Sequence, residues 1–88
     1  MANSFFKDKY EVKLICKDDY FIGKGETVAE AIKNIKPPEQ FKAFGTFQIT
    51  YGGKTSVPAI RLNTLRLKRL FARSVDLEIM AKRLEVLM

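Results

Sequence analysis

The chain contains a single cysteine, Cys16, and no histidine, which removes the usual staples of a small fold. One cysteine cannot form an intramolecular disulfide, and the common zinc sites need more cysteines or histidines than this chain has. Folds below roughly 70–80 residues generally need such staples, and this chain has 88 residues. Its hydrophobic content of 47% is enough for one ordinary core. We therefore predict a single domain, residues 1–88, held by hydrophobic packing, with no cofactor and no metal.

Residues 10–22 have the pattern of a β-hairpin. Apolar side chains alternate with mostly polar ones through residues 10–17, which is the period of a strand with one buried face. Lys17-Asp18-Asp19 supplies turn residues, and the apolar triplet at 20–22 predicts the returning strand. The residues before this hairpin, 1–9, are predicted to form a loosely held lead-in.

The next segment carries the start and stop signals of a helix. Thr27 and Glu30 are spaced as a capping box, in which each side chain accepts a hydrogen bond from the other residue's backbone N–H. Four apolar residues at helical spacing form one face. Pro37-Pro38 ends the pattern, because proline cannot continue the hydrogen-bond ladder. We predict a helix over residues 27–36.

Residues 45–60 predict a second hairpin around Gly52-Gly53. Alternation through residues 45–51 indicates its first strand. A two-residue loop would put the apolar side chains of the second strand on the wrong face, whereas a three-residue loop, 52–54, makes the apolar faces agree. That register pairs Tyr51 with Thr55, Ile49 with Val57, and Phe47 with Ala59. Pro58 donates no backbone hydrogen bond, so we expect the second strand at a sheet edge.

The last third of the chain predicts two helices. Asn63 or Thr64 can cap the first, over residues 62–73, and Ser74 can cap the second, which continues to the chain end. The element order is therefore β-β-α-β-β-α-α. The fold class is α+β, with a four-stranded, mostly antiparallel sheet and three helices. The predicted core includes Val12, Leu14, Ile32, Phe47, Ile49 and Leu84.

The residue inventory argues against catalysis. Without histidine the chain lacks the usual general base at neutral pH, and Ser-His-Asp or Cys-His arrangements are impossible. Cys16 falls on the apolar face of the first strand, so we interpret it as a core residue. The adjacent carboxylates Asp18-Asp19 are explained by turn chemistry. We predict that the protein is not an enzyme.

Positive charge is concentrated in the second half of the chain. The net charge is +6, of which residues 1–44 contribute +1 and residues 45–88 contribute +5. Between Lys54 and Arg73 there are six basic residues and no acidic one. This asymmetry favours an anionic partner.

Three arginines at helical spacing give the strongest functional signal. Arg66, Arg69 and Arg73 fall within about 60° of one another on a helix, and no acid lies within that helix. Guanidinium groups bind phosphate oxygens bidentately, so the pattern predicts a nucleic-acid-binding module, for DNA or RNA. The predicted contacts are Lys54, Arg61, Arg66, Lys68, Arg69 and Arg73. The alternative is a solvated face whose arginines pair with Asp76, Glu78 or acids on the sheet.

Four aromatic residues have two interpretations. Tyr20, Phe44, Phe47 and Tyr51 could stack on bases, as in proteins that bind single strands. Alternating aromatics of this kind are more often core residues, and we prefer that interpretation.

The C-terminal helix has two apolar stripes. One stripe is enough for a core, yet Val75, Ile79 and Val86 form a second on nearly the opposite side. The second stripe predicts packing against the preceding helix or a partner, and the apolar ending favours a partner. The predicted interface is Val75, Ile79, Val86, Leu87 and Met88. The alternative function is therefore a protein-interaction or assembly subunit, of the small structural, accessory or inhibitor type found in phages and viruses. Its partner through this helix would be another protein or, in a homo-oligomer, a second copy of the chain.

The sequence also bears on where the protein is found. No segment has the features of a signal peptide or approaches the ~20 apolar residues of a membrane span. Together with the single cysteine, this predicts a cytoplasmic protein without a membrane partner. A nuclear protein or a virion component is the alternative.

Overall fold

The computed structural model describes residues 9–87, which form an antiparallel sheet with helices on one face. The elements in chain order are β1 (Tyr10–Ile15), β2 (Tyr20–Gly25), α1 (Val28–Lys33), β3 (Gly45–Tyr51), β4 (Lys54–Thr55), β5 (Ala59–Leu62), α2 (Thr64–Ala72) and α3 (Ser74–Glu85). The α+β class and the predicted order are confirmed, with the last predicted strand divided into β4 and β5. The predicted lead-in, apart from Lys9, lies outside the described residues. None of the described helices is long and apolar enough to cross a membrane.

The sheet is built outward from the pairing of β1 with β3. The strand order is β2-β1-β3, and β4 and β5 both pair with the far side of β3. Val12 lies opposite Gly23 of β2 and Ile49 of β3, so inward-facing residues form rows across the sheet. Within the described residues β4 and β5 have no further neighbour, which confirms the edge position predicted from Pro58.

The core fills the space between the inward face of the sheet and the helices. All six residues predicted to form it are fully buried. Leu67 and Leu70 of α2 join them from the helix side. The segment between α1 and β3 is held by Phe41, whose ring centroid lies 6.4 Å from that of Phe21 and 5.9 Å from that of Phe71.

The first helix is capped as predicted at its start but is shorter. The backbone N–H of Glu30 donates to Oγ1 of Thr27 at 3.1 Å. The Glu30 carboxylate accepts from the N–H of Glu26, at 3.3 Å, instead of from Thr27. The helix ends at Lys33, three residues earlier than predicted. The next residue, Asn34, caps it, and its Nδ2 donates to the carbonyl oxygen of Lys24 at 2.7 Å. That bond ties the helix end to β2 before the prolines are reached.

The predicted three-residue loop of the second hairpin is wrong. Tyr51 pairs with Lys54, which leaves a two-residue loop of Gly52 and Gly53. Both glycines have positive φ, 58° and 82°, as a type I′ turn requires. This turn matches the right-handed twist of the flanking strands, and two consecutive glycines adopt it without steric cost. Turn geometry therefore prevails over continuous matching of the apolar faces.

Irregularities further along the second strand bring an apolar residue back to the inward face. Phe47 pairs with Ala59, as predicted, because the register shifts between the turn and β5. A further shift lies at Ile60, whose φ of 58° is rare for a β-branched residue. Val57, predicted to lie opposite Ile49, is left 76% exposed. Bulges thus correct the register that the tight turn imposes.

The connection between α2 and α3 differs from the prediction. Asn63 caps α2, with its Oδ1 accepting from the N–H of Arg66 at 2.9 Å, as expected. Ser74, predicted to cap α3, is instead its first residue, and Arg73 occupies the cap position without a side-chain hydrogen bond. Arg73 is extended, with φ of −129° and ψ of 122°, so the chain leaves α2 and enters α3 at this one residue.

Replacing a buried residue of α1 tests the core. Ile32→Ala should lower the free energy of unfolding by roughly 2–5 kcal/mol, because the side chain is fully buried and its loss leaves a cavity. Lys33→Ala, at the next and exposed position, is the matched control and should change it by less than about 0.5 kcal/mol. Urea unfolding followed by circular dichroism measures both. Equal effects for the two variants would contradict the packing of α1 on the sheet.

Candidate nucleic-acid interface

Two of the predicted arginines are fixed on the outer side of α2. The helix directs Leu67 and Leu70 into the core. Arg66 and Arg69 immediately precede these residues, so helical geometry turns them outward, and both are exposed. Among residues 9–87 no carboxylate lies within 4.0 Å of either guanidinium group. These are charges without an ionic partner in the described chain.

Arg66 and Arg69 line a shallow groove between α2 and α3. Arg83 of α3 completes its basic lining, while Leu70 and Met80 contribute apolar atoms. The groove encloses about 160 Å³, less than the roughly 300–1,000 Å³ of a small-molecule pocket. Its form therefore suits surface contact with an anionic chain better than enclosure of a small ligand. We call Arg66, Arg69 and Arg83 the arginine groove.

Arg83 was not among the predicted contacts. It lies on α3, one turn beyond Ile79 and two beyond Asp76, and all three residues line the same groove. The spacing of these residues at i, i+3 and i+7 is visible in the sequence. Whether these residues line a groove depends on how α3 packs against α2. The sequence pattern of α3 alone does not predict that packing.

Arg73 has a different environment from the other two members of the predicted ridge. It has left the helix, and its Nε lies 3.6 Å from Oδ2 of Asp76. Asp76 Oδ2 is buried and has no hydrogen-bond partner in the described part of the chain. The contact is an ion pair too long to count as a hydrogen bond. The alternative of pairing with Asp76 thus applies to Arg73, and not to Arg66 or Arg69.

The remaining predicted contacts are dispersed. Lys68 lies on the other flank of α2, beside Leu65 and the 37–41 segment. Arg61 lies on β5, with its Cζ 4.6 Å from the ring centroid of Phe44. Lys54 is at the hairpin tip, at the opposite end of β3 from the start of α2 and about 20 Å away along the strand.

The second apolar stripe of α3 is not buried by the preceding helix. Val75 is 60% exposed, Ile79 54% and Val86 84%. The residues of α3 that pack inward are Met80, Ala81 and Leu84. Leu87, also predicted at an interface, is 38% exposed, and Met88 lies outside the described residues. No part of the chain within residues 9–87 buries this stripe.

The four aromatic residues separate into core and surface groups. Phe47 is fully buried, as preferred. Tyr51 stacks on Tyr10, with ring centroids 4.5 Å apart. Tyr20, Phe44 and Tyr51 are 62%, 52% and 42% exposed, so the core interpretation is wrong for these three. Tyr20, the first residue of β2, lies on the side of the sheet away from the helices. Phe44, just before β3, lies beside Arg61 on that same side.

Within residues 9–87 few groups are placed to take part in catalysis. No cluster of three or more potential metal-ligating side chains occurs among residues 9–87. Cys16 is half-buried and packs against the core. Burial, assisted by the negative charge of Asp19, raises the pKa of the Cys16 thiol. A raised pKa keeps the thiol protonated near neutral pH, which disfavours a nucleophilic role.

The raised pKa predicts slow alkylation of Cys16. At one slightly alkaline pH, iodoacetamide should react more slowly with the folded protein than with the urea-unfolded chain, because less thiolate is present. The midpoint of the rate against pH should also lie higher in the folded protein. Asp19→Asn should lower that midpoint by removing the nearby charge. A folded protein that reacts as fast as the unfolded chain would contradict the assignment.

Comparison with known proteins adds no relative. The sequence matches no protein-family model, and neither the curated proteins nor the solved structures give a match. Function is therefore inferred from the geometry and charge of the residues themselves.

Proposed function

We propose that the protein is a small, non-enzymatic nucleic-acid-binding module that contacts phosphates through the arginine groove. The observation that carries the proposal is the convergence of three arginines from two helices on one groove. None of the three has a carboxylate within 4.0 Å in the described chain. Unpaired guanidinium groups that lie close together repel one another, and a polyanion relieves that repulsion.

The chemistry of the groove favours phosphate. Guanidinium groups offer paired N–H donors that match the oxygens of a phosphate. Arg66 and Arg69 are separated by about 4.5 Å along the helix axis, and Arg83 approaches from the neighbouring helix. Among residues 9–87 no Asn or Gln side chain lines the groove, and its arginines match phosphate oxygens, so we propose backbone contact with little sequence selectivity.

The charge of the rest of the molecule supports association. With a net charge of +6 the protein attracts polyanions at long range, which raises the rate of encounter. Asp76 opposes this attraction locally, since its carboxylate lies within the groove. The pairing of Asp76 with Arg73 removes part of that negative charge.

A salt titration tests the proposal. Log affinity for a short DNA or RNA should fall linearly with log salt, with a slope of about −0.7 to −0.9 for each phosphate contacted. Replacing Arg66, Arg69 and Arg83 by Gln should reduce the magnitude of the slope by roughly 2–3, while the helices stay folded because Gln retains helix propensity. Fluorescence anisotropy of labelled oligonucleotides measures the slope, and circular dichroism checks the fold.

Two controls separate the groove from net charge. Replacing Lys9, Lys33 and Lys36 by Gln removes the same charge from exposed positions outside the groove and should change the slope much less. Asp76→Asn should instead tighten binding, because it removes the groove's only carboxylate among the described residues. Equal weakening by both triple variants would show that only net charge matters. No binding at low salt would refute the proposal.

A second candidate function is supported by the exposed stripe of α3. Val75 and Ile79, with Val86 just past the helix end, form an apolar strip on a side of α3 that faces away from the core. Such a strip on a small protein is typical of a protein-interaction surface. The protein would then be an assembly subunit, either alone or in addition to binding nucleic acid.

Light scattering tests whether the exposed stripe of α3 joins copies of the protein. If the stripe is an interface between copies, the protein is a dimer or larger oligomer, and changing Ile79 and Val86 to Glu should give a folded monomer. Val57→Glu, at an exposed apolar position on the hairpin, is the control and should leave the mass unchanged. A monomeric parent protein would remove self-association from consideration.

A further inference from the structure

The face of the sheet away from the helices is open in the described part of the chain. Its outward residues on β1 and β3 alternate with the buried ones, and none of them is buried. Antiparallel sheets commonly leave one face in water, but such a face is then largely polar. Here it carries two exposed aromatic rings, Tyr20 and Phe44.

The strand register places several outward residues in one row. Ile15 lies opposite Tyr20 of β2 and Thr46 of β3, and Thr46 lies opposite Arg61 of β5. Four adjacent strands at roughly 4.8 Å spacing put the ends of this row about 14 Å apart. Phe44, two residues before Thr46 in the chain, adjoins the Arg61 end. We call Tyr20, Ile15, Thr46 and Arg61, together with Phe44, the outer row.

Each exposed ring of the outer row has a cation beside it. Lys13 Nζ lies 5.0 Å from the centroid of the Tyr20 ring. Arg61 Cζ lies 4.6 Å from the centroid of the Phe44 ring. These distances are within the range of cation–π attraction, which holds the rings in place on the surface. The result is two ring-and-cation pairs, one toward each end of the row.

The charges on this face favour a polyanion over a second copy of the protein. Lys13 and Arg61 have no carboxylate within 4.0 Å among the described residues, whereas Glu11 is already paired with Lys24 at 3.9 Å. Two copies docked through this face would bring like charges together. Asp18 and Asp19, in the turn beside Tyr20, reduce the positive potential at that end, so binding should be modest.

We infer that the outer row binds single-stranded nucleic acid, with bases stacked on Tyr20 and Phe44 and phosphates near Lys13 and Arg61. Aromatic rings stack on any base, and adjacent cations contact the backbone. Duplex bases are already stacked on each other, so the row should discriminate against duplexes. The inference shares its ligand class with the proposed function but uses a separate surface.

Paired binding measurements test the inference. Changing Tyr20 and Phe44 to Ala should weaken binding of a thymidine homopolymer by at least about fivefold for each ring, with little effect on a duplex of the same length. Tyr20→Phe with Phe44→Tyr keeps both rings and should retain affinity. Leu65→Ala with Val57→Ala removes exposed apolar side chains elsewhere and is the matched control. Fluorescence anisotropy gives the affinities.

Nuclear magnetic resonance gives a readout at the rings themselves. The homopolymer should shift the ring protons of Tyr20 and Phe44 upfield, and the duplex should not. The inference is overturned if duplex and single strand shift them equally, if the alanine variant binds the homopolymer as the parent does, or if the shifts follow protein concentration alone. Substituting the arginine groove should weaken both ligands, so failure of the outer row and failure of the groove give different patterns.

Discussion

Burial of one face of the antiparallel sheet is the constraint on which the rest of the structure depends. With one cysteine and no histidine, the chain has no disulfide or common zinc site to replace that burial. The approach of α1 to the sheet is correspondingly close. A Cβ built at Gly23 would overlap the carbonyl oxygen of Ala31, so only glycine allows β2 and α1 to meet at this distance. The positions of the helices are therefore set by the apolar sheet residues that they cover.

The same constraint sets the positions of the charged residues. Leu67 and Leu70 fix the rotation of α2, which leaves Arg66 and Arg69 outside, beside α3. On α3, burial of Met80, Ala81 and Leu84 fixes the rotation that brings Arg83 to the same groove. The arginine groove thus results from the packing of two apolar helix faces on one core. Its lining residues in the described chain all belong to helices or to β5.

How much could be predicted follows from which features are local. Alternation and helical spacing identified the strands, the helices and the buried residues, because each depends on neighbours within one element. The turn at Gly52-Gly53 was mispredicted because the register shift between Thr55 and Ala59, which restores the pairing of Phe47 with Ala59, is not visible in the alternation of apolar residues. Arg83 lines the arginine groove and Lys54 lies far from it, although the chain places Lys54 closer to Arg66 than Arg83 is, because distance along the chain is a poor guide to distance between elements.

The arginine groove and the outer row lie on different layers of the fold, and the chain connects these two surfaces at the β5 edge. Arg61 points outward from β5, Leu62 turns into the core, and Asn63 caps the helix that carries Arg66. The backbone passes from the open sheet face to the helix layer within five residues. Arg61 lies at the start of this segment, on the sheet face, and Arg66 at its end, on the helix layer. Because β5 is an edge strand, no further strand separates Arg61 from the helix layer in the described chain. A flexible single strand could bend around this edge and contact both surfaces, whereas a stiff duplex could contact only one of them.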